Sequence, residues 1–290
     1  MWQSVVRGLY FGLGLLMVAV MAFRVDATEL ATPLKLQGQL TQGALLTGVV
    51  SPGAKVAYVN GEGALKPLSV SANGAFALGL GRDAEQALHI QVTEQGRVRD
   101  FHYEIAKRDY QIQRIEGVQQ KHVSPPKEVL DRIRNESARV REARTLNDAR
   151  EDFLGPFQWP LKGRVTGVYG SQRFYNGVPK SPHYGIDIAA PNGTDVAAPA
   201  DGVVSFADND LYYSGGTLIV DHGHGVSSTF IHLSRIDVKV GQSVKQGDII
   251  AGVGSTGRST GPHLDWRMNW FDQRIDPQLL FPAGSTPASP

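Results

Sequence analysis

The feature that most restricts the fold is a succession of short alternating segments closed off by turn residues. Segments 34–40, 45–50, 55–59, 68–70, 76–80, 88–92 and 97–105 carry the period-two apolar pattern of strands. Ser51-Pro52-Gly53, Asn60-Gly61 and Asn73-Gly74 separate them, and the two Asn-Gly pairs are hairpin signals, because both residues tolerate positive φ. This spacing predicts a small antiparallel β-sandwich over 32–107. The β pattern resumes over 157–282, with strands expected at 218–221, 227–232, 249–253 and 263–270. The stretch 238–254 alternates in two short halves, as small barrels and sandwich hybrids do. A content of 33 glycines and 16 prolines fits many tight turns, so the fold class expected is mainly all-β.

Between the β tracts, residues 106–123 are polar and irregular. Ser124-Pro125 then supplies a capping residue and a first-turn proline, and charges of both signs alternate to about 147. Val129, Ile133 and Val140 form only a thin apolar stripe. A solvated helix over 125–147, within a linker spanning 108–156, is the expectation. Residues 283–290 read as a loose Pro/Ser/Ala-rich tail.

At the N-terminus, Arg7 precedes an apolar run over 9–23, and Val25-Asp26-Ala27 offers small residues for a peptidase. The pattern is that of a signal peptide (1–27) cleaved after Ala27, with an uncleaved anchor as the alternative. Export to the periplasm or cell envelope follows as an expectation. A formal net charge of +1 provides no basic field for nucleic acid. The formal match Gly252-x-Gly254-x-x-Gly257 lacks the helix that dinucleotide binding needs. Cysteine is absent, so any metal must be held by His, Asp or Glu.

Those residues concentrate near the C-terminal end. His183 and Asp187 lie four apart, and Pro182 and Gly185 argue against a helix there. His263 and Asp265 are two apart on an expected strand, so both side chains point to one face. His232 stands between the pairs. Imidazoles and carboxylates in this combination suit metal-assisted hydrolysis, in which zinc takes three protein ligands and leaves a position for water. His222 and His224 flank a glycine-rich turn and read as surface turn residues. Trp266, Trp270 and Phe271 read as core or rim.

The order and spacing of several motifs make 158–280 resemble the LytM/lysostaphin-type zinc metallopeptidases that cut peptidoglycan cross-links. The matching stretches are Gly170-Ser171-x-Arg173, His183-x-x-x-Asp187-Ile188-Ala189-Ala190-Pro191, Ala198-Pro199-Ala200-Asp201-Gly202, Asp221-His222-Gly223-x-Gly225, His232-Leu233-Ser234, Gly247-Asp248 and Gly261-Pro262-His263. The resemblance implies an antiparallel barrel-sandwich hybrid type of catalytic domain and one Zn2+ per chain. It makes His183 and Asp187 metal ligands, and it makes His232 and His263 the catalytic histidines. The family's third ligand is normally the second His of His-x-His, where this chain has Asp265. Aspartate also ligates zinc, although a His/Asp/Asp set moves preference toward Mn2+. The exchanged assignment, His263 as ligand and Asp265 as base, is equally compatible with their shared face. Tyr184, Asn176 and Tyr213 are candidates to line the substrate groove, beside Tyr175, Lys180 and Tyr212.

The expected function is therefore an exported endopeptidase acting on peptidoglycan peptides. The alternative is an inactive relative that binds cell wall, or that activates another cell-wall hydrolase or envelope protein; Asp265 favours it. A carrier domain lacks a suitably placed lysine.

Overall fold

The computed structural model describes residues 34–116 and 127–287, which belong to one compact unit. The signal peptide expected over 1–27, the Ser124-Pro125 cap and residues 288–290 of the tail lie outside the described residues. Among the described residues no helix is long and apolar enough to cross a membrane.

Seven strands come first: β1 (Leu36–Gln37), β2 (Leu45–Val49), β3 (Lys55–Val59), β4 (Leu65–Leu68), β5 (Ala75–Gly79), β6 (Ala87–Glu94) and β7 (Arg97–Glu104). They form two antiparallel sheets, ordered β1-β2-β5 and β4-β3-β6-β7. The turn chemistry differs from the sequence expectation at two places. Asn60-Gly61 does open the β3–β4 connection, where the Asn60 side chain accepts from the backbone N–H groups of Glu62 and Ala64. Asn73-Gly74 instead carries the chain from one sheet to the other, since β4 and β5 belong to different sheets. The two-residue hairpin is Gln95-Gly96, both at positive φ (49° and 78°), as a type I′ turn requires.

The chain from 106, expected to be irregular, contains β8 (Ile112–Ile115). Its partner is distant in sequence, so no local pattern reveals it. Next comes α1 (Leu130–Ala143), shorter than the expected helix and without a side-chain cap. None of its residues is fully buried, but it is not free in solvent either. Val140 and Ala143 pack on Phe206, Leu211 and Ile219. Arg139 pairs with Asp208 at 2.8 Å, and the Glu136 carboxylate accepts from Tyr212 N–H.

The remaining strands are β9 (Arg164–Gly167), β10 (Gln172–Tyr175), β11 (Val178–Pro179), β12 (Ile186–Ala189), β13 (Asp195–Ala197), β14 (Gly202–Leu211) and β15 (Gly215–Asp221). They continue with β16 (Val226–Leu233), β17 (Arg235–Ile236), β18 (Ser243–Val244), β19 (Ile249–Gly252), β20 (His263–Trp270) and β21 (Gln273–Ile275). The principal sheet is ordered β18-β14-β15-β16-β20-β12-β9, with β21 added to β20. A smaller sheet is ordered β13-β19-β17, so the alternating stretch 238–254 divides between β18 of the principal sheet and β19 of this one. Among the described residues the protein is thus mainly β, with one short α-helix.

β15 and β16 are buried along their whole length, which is why they read as unbroken apolar-and-small runs rather than alternating ones. One apolar core runs from Leu46, Phe76 and Ile90 to Ile186, Phe230 and Trp266. Truncating an aromatic side chain at its centre would cost about 3–5 kcal/mol. Asp276, almost fully buried, accepts from Arg108 at 2.8 Å, while its N–H donates to the Gly43 carbonyl. These bonds tie the early sheets, the segment after β7 and the chain end together.

Candidate metal centre

The register of β12 and β20 sets Asp187 directly opposite Asp265 and Ala189 opposite His263. Paired residues share a face, and so do residues two apart on a strand. His263, Asp265 and Asp187 are therefore brought together by the sheet itself. His183 precedes β12, and its main chain is fixed by exchange with the β9–β10 connection: its N–H donates to Ser171 O, and Gly170 N–H donates to His183 O, both at 2.8 Å. Two glycines make room for the carboxylates. A Cβ at Gly167 would lie 2.2 Å from Asp187 Oδ2, and one at Gly185 would lie 2.4 Å from Asp265 Oδ1.

His183 Nε2 lies 3.2 Å from Asp187 Oδ1. Apart from this ion-pair contact with each other, neither buried atom has a hydrogen-bond partner. His183, Asp187 and Asp265 each bring one ligand-type atom within 4.8 Å of the others. Two converging ligand-type atoms with no hydrogen-bond partner beyond each other, backed by a second carboxylate, fit a divalent cation held by N and O. Burial opposes a charge on His183, but Asp187 and Asp265 outweigh it and raise its pKa.

Asp265 has a second partner that sequence reasoning missed. Arg267 Nε reaches its Oδ1 at 2.9 Å and Nη2 reaches its Oδ2 at 2.6 Å, a bidentate pair, with the Asp265 side chain 3% exposed. Burial pushes the Asp265 carboxyl up, yet Arg267 more than compensates and holds it below the usual carboxylate range. The signal was available: Arg267 is a charged residue two after Asp265 on a strand, hence on the same face. A carboxylate has about four lone-pair sites, so the pair leaves Asp265 able to ligate while neutralising much of its charge.

The two remaining histidines lie side by side, with ring centroids 4.9 Å apart. His232 Nδ1 lies 2.8 Å from Thr256 O, and His263 Nδ1 lies 2.8 Å from Gly261 O. A carbonyl only accepts, so each Nδ1 carries the hydrogen and each Nε2 keeps a free lone pair. Burial lowers the pKa of His232 and keeps it neutral. Its backbone sits at φ 64°, an uncommon value for a non-glycine residue. His263 Nε2 stands 3.8 Å from Asp187 Oδ1, so His263 also borders the ligand cluster.

The candidate groove residues divide. Tyr184 is partly buried, with the Arg274 guanidinium 5.4 Å from its ring centre. Tyr213 packs against Tyr212 and lies under Arg258. Asn176 occupies the exposed turn of the β10–β11 hairpin at φ 50°, and β8 pairs parallel to the other edge of β10. Trp266 and Trp270 belong to the core. The surface reading of His222 and His224 is overturned: both are buried. His222 bonds Asp201 O at 2.6 Å and Ser228 Oγ at 2.8 Å, a structural role away from the cluster.

Residues 181–277 match the model of Peptidase family M23. The cell division protein DipM of Caulobacter vibrioides is 33% identical over 138 residues, covering 44% of this chain and 21% of DipM. The peptidoglycan DD-endopeptidase ShyA of Vibrio cholerae is 38% identical over 108 residues, covering 37% of this chain and 25% of ShyA. The chain thus spans about a fifth to a quarter of the length of these curated relatives. A crystal structure of a putative peptidase M23 from Pseudomonas aeruginosa superposes with a TM-score of 0.63 at 27% identity, covering 83% of this chain and 95% of that one. The shared fold therefore extends well beyond the segment that matches the family model.

Proposed function

We propose that the chain, whose residues 181–277 match peptidase family M23, is an exported metal-dependent endopeptidase that cuts peptide cross-links of bacterial peptidoglycan. The observation that carries this reading is the convergence of His183, Asp187 and Asp265, with the buried His183 Nε2 and Asp187 Oδ1 in contact only as an ion pair and without other hydrogen-bond partners. His183, Asp187 and Asp265 would hold the ion, Zn2+ by donor type, with Mn2+ accommodated by the two carboxylates. When bound, it supplies Lewis acidity to a carbonyl and lowers the pKa of a water.

The chain's own residues then have separable tasks. His232 and His263, each with Nδ1–H anchored on a carbonyl, turn Nε2 toward the centre, where it can accept a proton from water and return it to the departing amine. As imidazolium, either one stabilises a neighbouring oxyanion. Arg267 holds Asp265 in one rotamer. Tyr184 stays a candidate to meet a peptide in the groove, while Tyr213 faces the cavity behind the centre and Asn176, exposed on the β10–β11 turn, is a rim contact at most. Relatives named for DD-endopeptidase activity support the substrate class. The N-terminal pattern supports export to the periplasm or cell envelope.

The Asp265–Arg267 pair favours a second reading, an inactive relative that binds cell wall or activates another hydrolase, because it lessens the negative charge offered to a cation. Elemental analysis of the purified full chain, beside His183→Ala and Asp265→Ala, separates the two. The endopeptidase reading expects about one zinc per chain, absent in His183→Ala, together with soluble peptides released from purified sacculi. A metal-free wild type after incubation with zinc or manganese would sink it.

A further inference from the structure

Behind the candidate centre three arginines converge on one cavity of about 180 Å3. Arg267 enters from β20, Arg144 from the C-cap of α1 and Arg274 from β21. Tyr213, Ser214 and Thr217 bring hydroxyls to its wall, while Ile133, Val140 and Ile231 make part of it apolar.

The charges around it do not balance. Arg267 is matched by Asp265. Glu136 also lines the cavity, but its carboxylate is taken by Arg132 Nε and Tyr212 N–H. Among the described residues Arg144 and Arg274 have no ion pair; the exposed Asp272 carboxylate acts on both from a distance and pairs with neither. Arg144, 8% exposed, donates only to Thr229 Oγ1 at 3.2 Å, and its buried Nε has no partner. Arg274 makes one long bond, 3.3 Å to Asn269 Oδ1, and lies over the Tyr184 ring. Burial, reinforced by the neighbouring guanidiniums and only partly offset by Asp272, lowers both pKa values, that of Arg274 to about 10. A fold gains nothing from burying two unmatched cations together, and an anion between them removes the penalty. Planar guanidinium forks match carboxylate oxygens pairwise.

We propose that this cavity is a carboxylate-binding site, in which Arg144 and Arg274 hold the anionic group, the Ser214 hydroxyl, which accepts from Thr217 and so has its own hydrogen to give, completes its hydrogen bonds, and Ile133, Val140 and Ile231 take a short aliphatic substituent. The apolar wall selects an organic acid over an inorganic oxyanion. The same chemistry arrives either as a free short-chain acid or as the C-terminal carboxylate of a peptide. The site uses neither His183 nor Asp187, so it stands whether or not the chain hydrolyses anything.

The test is isothermal titration of the full, chelator-treated chain with propionate, N-acetylalanine, N-acetylalanine amide and inorganic phosphate, beside Arg144→Gln, Arg274→Gln and Arg274→Lys. Saturable binding of a carboxylate is expected, with affinity falling about tenfold or more in either Gln variant and less in Arg274→Lys. The amide and phosphate should not bind. Tighter binding of N-acetylalanine assigns the site to peptide ends, and tighter binding of propionate assigns it to free acids. Without ligand, the Gln variants should melt no lower than the wild type, because an unmatched buried charge has gone. Carboxylate binding that is absent in the wild type, unchanged in both Gln variants, equalled by the amide or replaced by phosphate would overturn the proposal. Gln variants that unfold at lower temperature with no change in binding would show the arginines to be structural, and would overturn it too.

Discussion

Removing the Asp265 carboxylate strands the Arg267 guanidinium. In Asp265→Ala, with metal excluded by chelator, Arg267 loses both bonds of a bidentate pair whose acid is 3% exposed. Losing one partner of a buried ion pair costs about 3–5 kcal/mol, mostly from the charge left behind. At roughly 2–4 °C per kcal/mol for a chain of this size, the melting temperature should fall by about 6–20 °C. The double variant Asp265→Ala/Arg267→Met removes the stranded charge and should recover most of that loss. pH sets a second constraint. Because the folded carboxyl is held below 3.8, the pair's contribution is fully present above that value and disappears as pH falls through the lowered one. Calorimetric melts of the four-member cycle at neutral and acid pH measure both effects. A drop smaller than about 2 °C, or a double variant no more stable than Asp265→Ala, would refute the idea that Arg267 depends on this carboxylate.

Three other consequences can be checked. Gly185→Ala places a Cβ 2.4 Å from Asp265 Oδ1 and 2.6 Å from Trp266 O, and overpacking of this kind should cost about 1–3 kcal/mol in denaturant melts and lower metal uptake. Burial holds His222 neutral with a pKa near 4, against 6.5 when unfolded. The unfolded chain therefore takes up the proton first, and roughly 3 kcal/mol of stability should drain away as pH drops from 6.5 to about 4; His222→Gln should flatten that slope. Gln95→Asn, at a φ of 49° in a type I′ turn, should stabilise the β6–β7 hairpin by a few tenths of a kcal/mol in equilibrium unfolding.

The sequence carried the β architecture and the site constellation because both rest on local rules. Period-two alternation located β20 over its full observed length, and the same alternation put His263 and Asp265 on one face. What escaped were features fixed by partners far along the chain. β8 is four polar-flanked residues whose ladder is with β10. α1 looked solvated because its apolar stripe is thin, yet Val140 and Ala143 suffice to dock it on Phe206 and Ile219. His222 looked like a turn residue because glycines surround it, whereas tertiary packing buries the turn. Arg144 and Arg274 were invisible as a pair, since nothing local brings the end of a helix to the strand after β20.

The ladder β9-β12-β20 also bears on how the protein can be cut down. The family segment begins at residue 181, yet β9, which ends at Gly167, covers the outer edge of the strand bearing Asp187. A fragment limited to 181–277 would turn β12 into an open edge, with its backbone N–H and C=O groups free to recruit strands from other molecules. Trimming from the N-terminal side thus trades a closed centre for self-association, and the useful boundary lies before β9 rather than at the first metal-binding motif.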